Sequence, residues 1–245
     1  MLIRLNKLLA QRGVASRREA DRLIEEGSVE VNGVVVQELG TKVDDAADGI
    51  TVKGRKIKPG RELVYMALHK PPGYLVTLRD PLGRPTIKTL IPTLPDGVCP
   101  VGRLDRESEG LLLLTNDGEL AFRLTHPRYE VPKIYLVRVE GGVPAETIAK
   151  LEAGVLVEGK KTAPAKVKAL ETREAFTVLQ VEIHEGRKRE IRLMFSSVGH
   201  EVLRLERTSF GGIKLERLEP GRWRFLKAAE VGRLRKLVGL ENATD

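Results

Sequence analysis

The chain has 245 residues, 41% hydrophobic and 31% charged, a balance that supports a folded core rather than a disordered chain and leaves room for two domains. Its 42 Lys and Arg exceed its 34 Asp and Glu by eight charges, which suits a polyanionic partner such as nucleic acid but equally a solvated basic surface. The single cysteine, Cys99, excludes an internal disulfide, and His69, His126, His184 and His200 are too scattered to hold a metal, so no metal or other cofactor is expected. The N-terminus lacks a signal-type apolar run and no segment has the length of a membrane span, so the expectation is a cytoplasmic protein with no membrane partner.

In chain order, Leu5, Leu8 and Leu9 mark the apolar face of a short helix that Gly13 can end in a left-handed conformation. Ser16 stands three residues before Glu19, the spacing of a capping box, and opens a second helix with Ala20, Leu23 and Ile24 inward and Gly27 as its stop. Asn32-Gly33 between the β-branched runs Val29–Val31 and Val34–Val36 predicts a tight hairpin. Arg4, Lys7, Arg12, Arg17, Arg18 and Arg22 face only Glu19 and Asp21 in the helix pair, a one-sided charge that fits a phosphate backbone better than it fits a merely solvated face. A polar, turn-rich run from Lys53 to Arg61 divides the chain into residues 1–62 and 63–245. Beyond it, Val64–Leu68, Leu111–Leu114, Ile134–Val139, Lys166–Leu170 and Phe176–Ile183 read as strands. Glu119–Leu124, Ala145–Glu152, Lys188–Val198 and Ala228–Leu237 read as helices. Strands that adjoin one another predict an α+β fold with a mainly antiparallel mixed sheet.

Three segments carry chemistry. Val101-Gly-Arg-Leu-Asp105-Arg-Glu-Ser-Glu109 is a charged loop running into four leucines, so a reactive side chain would be tethered to a buried strand; from the residues alone it also reads as a salt-bridged, solvated loop. Lys133-Ile-Tyr135 alternates on a strand, which puts both side chains on one face, and a tyrosine ring there can stack on a base or simply pack on the core. Gly186-Arg187-Lys188-Arg189 opens a helix that continues through Arg192, and His184–Lys227 holds eleven basic residues against six acidic, a second patch suited to phosphate contact.

These segments together resemble the bacterial ribosomal-RNA pseudouridine synthases of the RsuA/RluB type. The S4 RNA-binding domain is matched by Arg4-Leu-Asn-Lys-Leu-Leu-Ala10, Gly13-Val-Ala-Ser-Arg-Arg-Glu-Ala20, Gly27 and Val31-Asn-Gly33. The catalytic domain is matched by Lys70-Pro-Pro-Gly73, Gly102-Arg-Leu-Asp105 with its sequel to Gly118, Lys133-Ile-Tyr135, Gly186-Arg-Lys-Arg-Glu-Ile-Arg192, Arg207 and Pro220-Gly-Arg-Trp-Arg224. The resemblance implies an S4 domain at 1–62, a pseudouridine synthase fold at 63–245, and isomerisation of a specific uridine in ribosomal RNA, of the large subunit, by a monomer acting on RNA or a ribosomal precursor particle. It implies Asp105 as catalytic aspartate, Tyr135 as the stacking tyrosine that assists proton transfer, Arg192 as the partner of the aspartate, and Arg103 as the residue that holds the target nucleotide out of its stack. RNA contacts are expected at Arg4, Lys7, Arg12, Arg17, Arg18, Arg187, Lys188 and Arg189. One departure is Leu193, where many relatives carry a second basic residue.

Two other functions compete. An S4-bearing ribosomal-RNA assembly factor without catalysis would have no use for Asp105, Tyr135 and Arg192 together. A two-carboxylate glycosidase using Asp105 and Glu109 would leave both basic patches unexplained. The S4 pattern also occurs in tRNA-charging enzymes, but no nucleotide-binding signature accompanies it.

Overall fold

Leu5, Leu8 and Leu9 are each no more than 1% exposed, and the small core they begin shows how the first segment folds. A computed structural model describes residues 2–45, 47–57 and 62–240. They form two compact units, one of residues 1–64 with 95–98 and 116–118, the other of the remainder. In the first, β1 (Leu2–Arg4) leads into α1 (Leu5–Gln11) and α2 (Arg17–Glu25). The Ser16 hydroxyl accepts from the Glu19 amide at the start of α2, satisfying one of the donors that a helix start leaves unpaired. β2 (Val29–Val31) and β3 (Val34–Val35) form the expected hairpin, with Asn32 at φ 53° and Gly33 at φ 82°, the backbone that a two-residue turn between right-twisted strands requires. β4 (Lys42–Asp44) pairs with β1, and β5 (Ile50–Val52) joins β2 to β6 (Arg55–Lys56). Part of the polar run read as the junction, residues 58–61, lies outside the described residues.

The second unit is built on β7 (Tyr65–Lys70), α3 (Ile87–Leu90), β8 (Cys99–Pro100), β9 (Glu109–Thr115), α4 (Gly118–Thr125), β10 (Lys133–Glu140) and α5 (Ala145–Ala153). It continues with β11 (Leu156–Val157), β12 (Lys160–Lys161), β13 (Lys166–Thr172), β14 (Phe176–Ile183), α6 (Glu190–Ser197), β15 (Val202–Phe210), β16 (Ile213–Lys214), β17 (Trp223–Phe225) and α7 (Ala228–Leu237). The main sheet runs β13-β14-β10-β15-β9-β7-β17, with β16 on β15 and β8 on β9. Its pairings are antiparallel except where β15 meets β9, so the α+β, mainly antiparallel mixed sheet is as expected. Leu111 and Leu113 of β9 pack with Leu120, Leu124, Phe210 and Leu234 in one buried cluster, which fixes the strand that follows the Asp105 loop. No helix among the described residues is long and apolar enough to cross a membrane.

Two departures from the sequence reading bear on the site. The helix expected from Lys188 begins at Glu190, and Arg189 caps it at φ 54°, so Arg187, Lys188 and Arg189 lie on a turn and not on a helical face. β15, a strand at the middle of the sheet, was not expected: Arg204, Glu206 and Arg207 break its apolar pattern, yet Val202, Leu205, Arg207 and Phe210 are all buried. A short parallel pairing joins it to β9, with Glu206 beside Glu109 and Arg207 beside Gly110.

Gly110 has φ 104°, and a Cβ built on it would stand 2.4 Å from the Arg207 carbonyl oxygen. Both the conformation and the contact exclude any larger residue. Gly110→Ala should therefore cost roughly 2–5 kcal/mol in urea unfolding, the sum of backbone strain and overpacking; an unchanged midpoint would show that the two strands can part without loss.

Candidate active site

Asp105 is carried by the loop between β8 and β9, and that loop is held from below by Lys70, the last residue of β7. Lys70 is fully buried. Its ammonium donates to the carbonyl oxygens of Ser108 at 2.6 Å, Pro71 and Asp105 at 3.1 Å, and Arg106 at 3.2 Å. The Gly73 amide donates to the Arg106 carbonyl at 2.7 Å, and the Ser108 amide to that of Asp105 at 3.1 Å. Burial pushes the Lys70 ammonium down to about 8, against the opposing pull of Glu107, Asp105 and Glu109. The loop backbone is thereby pinned at three oxygens, those of Asp105, Arg106 and Ser108, while the half-buried Asp105 side chain is left to the cleft.

The cleft has a volume of about 630 Å³, a size that suits a nucleotide-scale ligand. Nine lysines and arginines line it against three carboxylates, Asp80, Asp105 and Glu190. Asp80 is committed to Arg84, whose guanidinium donates to both carboxylate oxygens at 2.7 and 3.2 Å; these hydrogen bonds hold the Asp80 carboxyl down at about 2. Glu190 is buried, and burial followed by a hydrogen bond with Glu185 raises its carboxyl to about 8. Its Oε2 accepts from the Arg187 amide at 3.0 Å. The paired Glu185 stays ionised: burial raises it, but the hydrogen bond from Glu190, the Ala163 amide and Arg187 bring it below the usual range. Burial thus drives Glu190, and not Glu185, toward its protonated form. Among the described residues Asp105 makes no ion pair, so it is the cleft carboxylate not already neutralised or bound.

On the far wall, Lys133 and Tyr135 alternate along β10 and both face the cleft, as expected. Tyr135 is 8% exposed and pairs across the sheet with Arg207 of β15. Arg207 is 2% exposed; its Nε donates to the Leu111 carbonyl at 2.7 Å, and its buried Nη2 has no hydrogen-bond partner. Lys133 gives a hydrogen bond of 3.0 Å to the Val131 carbonyl. Its ammonium is pushed down to about 8, by burial first and by Arg207 second, with Glu190 opposing.

The cleft brings together Asp105, Tyr135, Arg103, Arg187, Lys188 and Arg189. It does not include Arg192. That guanidinium donates through Nη1 to the Val202 carbonyl at 2.9 Å, with Nε buried and unpartnered, and no ion pair joins it to Asp105 among the described residues. The implied Asp105–Arg192 pair is corrected accordingly: Arg192 leans on β15, the strand missing from the sequence reading. Arg187 is already occupied by Glu185 and the Lys161 carbonyl. Arg189 lies 3.8 Å from Glu107, and Lys188 is exposed. In the first unit Arg4, Arg17 and Arg18 are exposed and Lys7 is half-buried, whereas Arg12 is ion-paired with Asp45. Glu109 is outside the cleft lining and binds Arg204, which removes the second carboxylate that a glycosidase would need. Sequence reasoning gave no role to Lys70, Lys133, Arg207 or the Asp80–Arg84 pair. The signal for Lys70 is a lysine that closes an apolar strand just before Pro-Pro-Gly.

Comparison with known proteins places these residues in a family. The chain matches the RNA pseudouridylate synthase family over residues 64–197 and the S4 domain over residues 3–50. It is 47% identical to an RNA pseudouridine synthase of Aquifex aeolicus over 98% of this chain and 97% of that protein. It is 46% identical to the ribosomal large subunit pseudouridine synthase B of Bacillus subtilis over 96% of each. A solved pseudouridylate synthase structure superposes with a TM-score of 0.69 at 30% identity, covering 95% of this chain and 99% of that one.

The raised Glu190 carboxyl has a stability consequence. Between an ordinary carboxylate value and about 8 the unfolded chain ionises while the folded chain keeps its proton, so folding loses stability as pH rises through that window. Glu190→Gln mimics the protonated acid and does not titrate. Its stability relative to the parent should grow, by at most about 1.4 kcal/mol per pH unit, from pH 5 to pH 8 and then level off in urea unfolding. A difference that does not vary with pH would contradict the raised Glu190 carboxyl.

Proposed function

The chain belongs to the RNA pseudouridylate synthase family, and we propose that it isomerises a uridine of large-subunit ribosomal RNA to pseudouridine with Asp105 as the catalytic carboxylate. The observation that carries the assignment of Asp105 is its place: the one uncommitted carboxylate of a cationic cleft, on a loop fixed by a buried lysine. The Bacillus subtilis relative supports the large subunit as the source of the substrate.

The chemistry requires breakage of the N1–C1′ bond, rotation of the uracil and attachment of C5 to C1′, all on a nucleotide removed from its stack. Exposed Arg103, Lys188 and Arg189 at the cleft suit the phosphates of the displaced strand. Stacking on Tyr135 offsets part of the few kcal/mol that flipping costs. Asp105 then acts on the sugar or base as nucleophile or as proton acceptor. Arg192 acts in this reading through α6, as a brace between that helix and β15, rather than on the carboxylate. Residues 1–62 serve as an RNA-binding domain through Arg4, Lys7, Arg17 and Arg18, with 63–245 as the catalytic domain. The protein works as a cytoplasmic monomer on ribosomal RNA or a precursor particle.

Asp105→Asn keeps the size of the side chain and removes its charge. On in vitro transcribed bacterial large-subunit ribosomal RNA labelled with tritium at uridine C5, it should abolish tritium release while the Kd for the RNA stays within about two-fold. Release at the parent rate would exclude Asp105 as the catalyst; no release by the parent chain would exclude the substrate.

A further inference from the structure

Arg207 and Lys133 form a pair of buried cations without a counter-charge. Both line the cleft wall, 2% and 8% exposed, and they flank one aromatic ring: the Arg207 guanidinium carbon lies 5.0 Å and the Lys133 ammonium 5.3 Å from the centre of Phe210. Each has a single hydrogen bond, to a backbone carbonyl, and the Arg207 Nη2 has none. Among the described residues neither has an ion pair. Glu190 is the carboxyl whose field bears on Lys133, but burial drives it toward its protonated form and it makes no ion pair with Lys133 among the described residues. Buried cations are ordinarily paired, because each uncompensated one costs several kcal/mol. Two of them in the wall of a substrate cleft imply that the missing negative charge arrives with the ligand.

We propose that Lys133 and Arg207 are an anion subsite for the uracil ring, which takes up the negative charge that develops on O2 and O4 as the N1–C1′ bond breaks. The inference rests on the reading of the chain as a uridine isomerase. When that bond breaks, its electron pair passes into the ring, and the electron deficiency at C1′ is met by the Asp105 carboxylate or by loss of a sugar proton to it. C5 then returns a pair to C1′, the C5 proton leaves, and N1 gains a proton, so the net change is an isomerisation. Between the two bond changes the ring is an anion. Arg207 is the cross-strand neighbour of Tyr135, beside the ring on which the uracil stacks, whereas the phosphates have the exposed cations of the cleft. Preorganised charge in a wall closed to water stabilises a developing anion without reorganisation.

The test uses the full-length chain and in vitro transcribed large-subunit ribosomal RNA made with uridine or with 5-fluorouridine. The fluorinated ring is the weaker base and needs less help as an anion. Single-turnover loss of the N1-linked nucleoside should fall roughly 100- to 1000-fold in Arg207→Gln on uridine, as for removal of one oxyanion donor, and less than about ten-fold on 5-fluorouridine. Lys133→Gln should show the same asymmetry, and Arg207→Lys, which keeps the charge, should restore most of the rate even if the glutamine variant folds poorly. Equal losses on the two RNAs, or a weakened Kd with an intact rate as for a phosphate contact, would overturn the subsite. Failure of the parent chain to convert uridine would instead overturn the functional reading itself.

Discussion

The ammonium of Lys70 lies buried beneath the loop that bears Asp105, and four backbone carbonyls are its partners. A buried lysine is costly unless its charge is met. Here it is met by three carbonyl dipoles of the Asp105 loop and by that of Pro71, which gives the loop one arrangement rather than many. The antiparallel ladder of β7 with β9 sets this up, since Lys70 pairs with Gly110 and so ends beside the loop that enters β9. Gly110 also lets β15 approach closely enough to place Arg207 and Tyr135 on the opposite wall. The Asp105 carboxylate and the Tyr135 ring thus depend on adjoining residues of the same joint.

Charge in the cleft is sorted by depth. Arg103, Lys188 and Arg189 are exposed, where contact with phosphate is cheap and depends on salt. Lys133 and Arg207 are buried, where a charge acts strongly and costs most. Competing carboxylates are removed by different means: Asp80 by the Arg84 fork, Glu190 by burial that favours its protonated form, Glu109 by Arg204 away from the cleft. Asp105 remains.

Much of this was legible in the residues. The Asn32-Gly33 hairpin and the Ser16 cap follow local rules, and the structure has both. The α7 helix occupies the residues expected of it, Ala228–Leu237. The loop with Asp105 and the Lys133/Tyr135 face could also be read, because a four-leucine strand and a period of two leave little choice. β15 could not. Its charged residues belong to a central strand whose neighbours supply their partners, Arg204 on Glu109 and Arg207 on the Leu111 carbonyl, and local pattern does not contain those neighbours. The same limit explains Arg192, whose acceptor is the backbone of that strand, and Arg189, whose left-handed φ moves the helix start past the basic triplet. The role of Lys70 depends on four carbonyls, three of them more than thirty residues away, so no window around it would have revealed them.

The Lys70 clasp is what we propose holds Asp105 where it can react. Lys70→Met keeps the length of the side chain and removes the donor, and the decisive quantity is its single-turnover rate of pseudouridine formation on saturating large-subunit ribosomal RNA, read beside its Kd. A displacement of about 1 Å in a reacting group costs on the order of 100-fold, so the rate should fall by at least that much with Kd kept within about two-fold. A variant that turns over at the parent rate would contradict it.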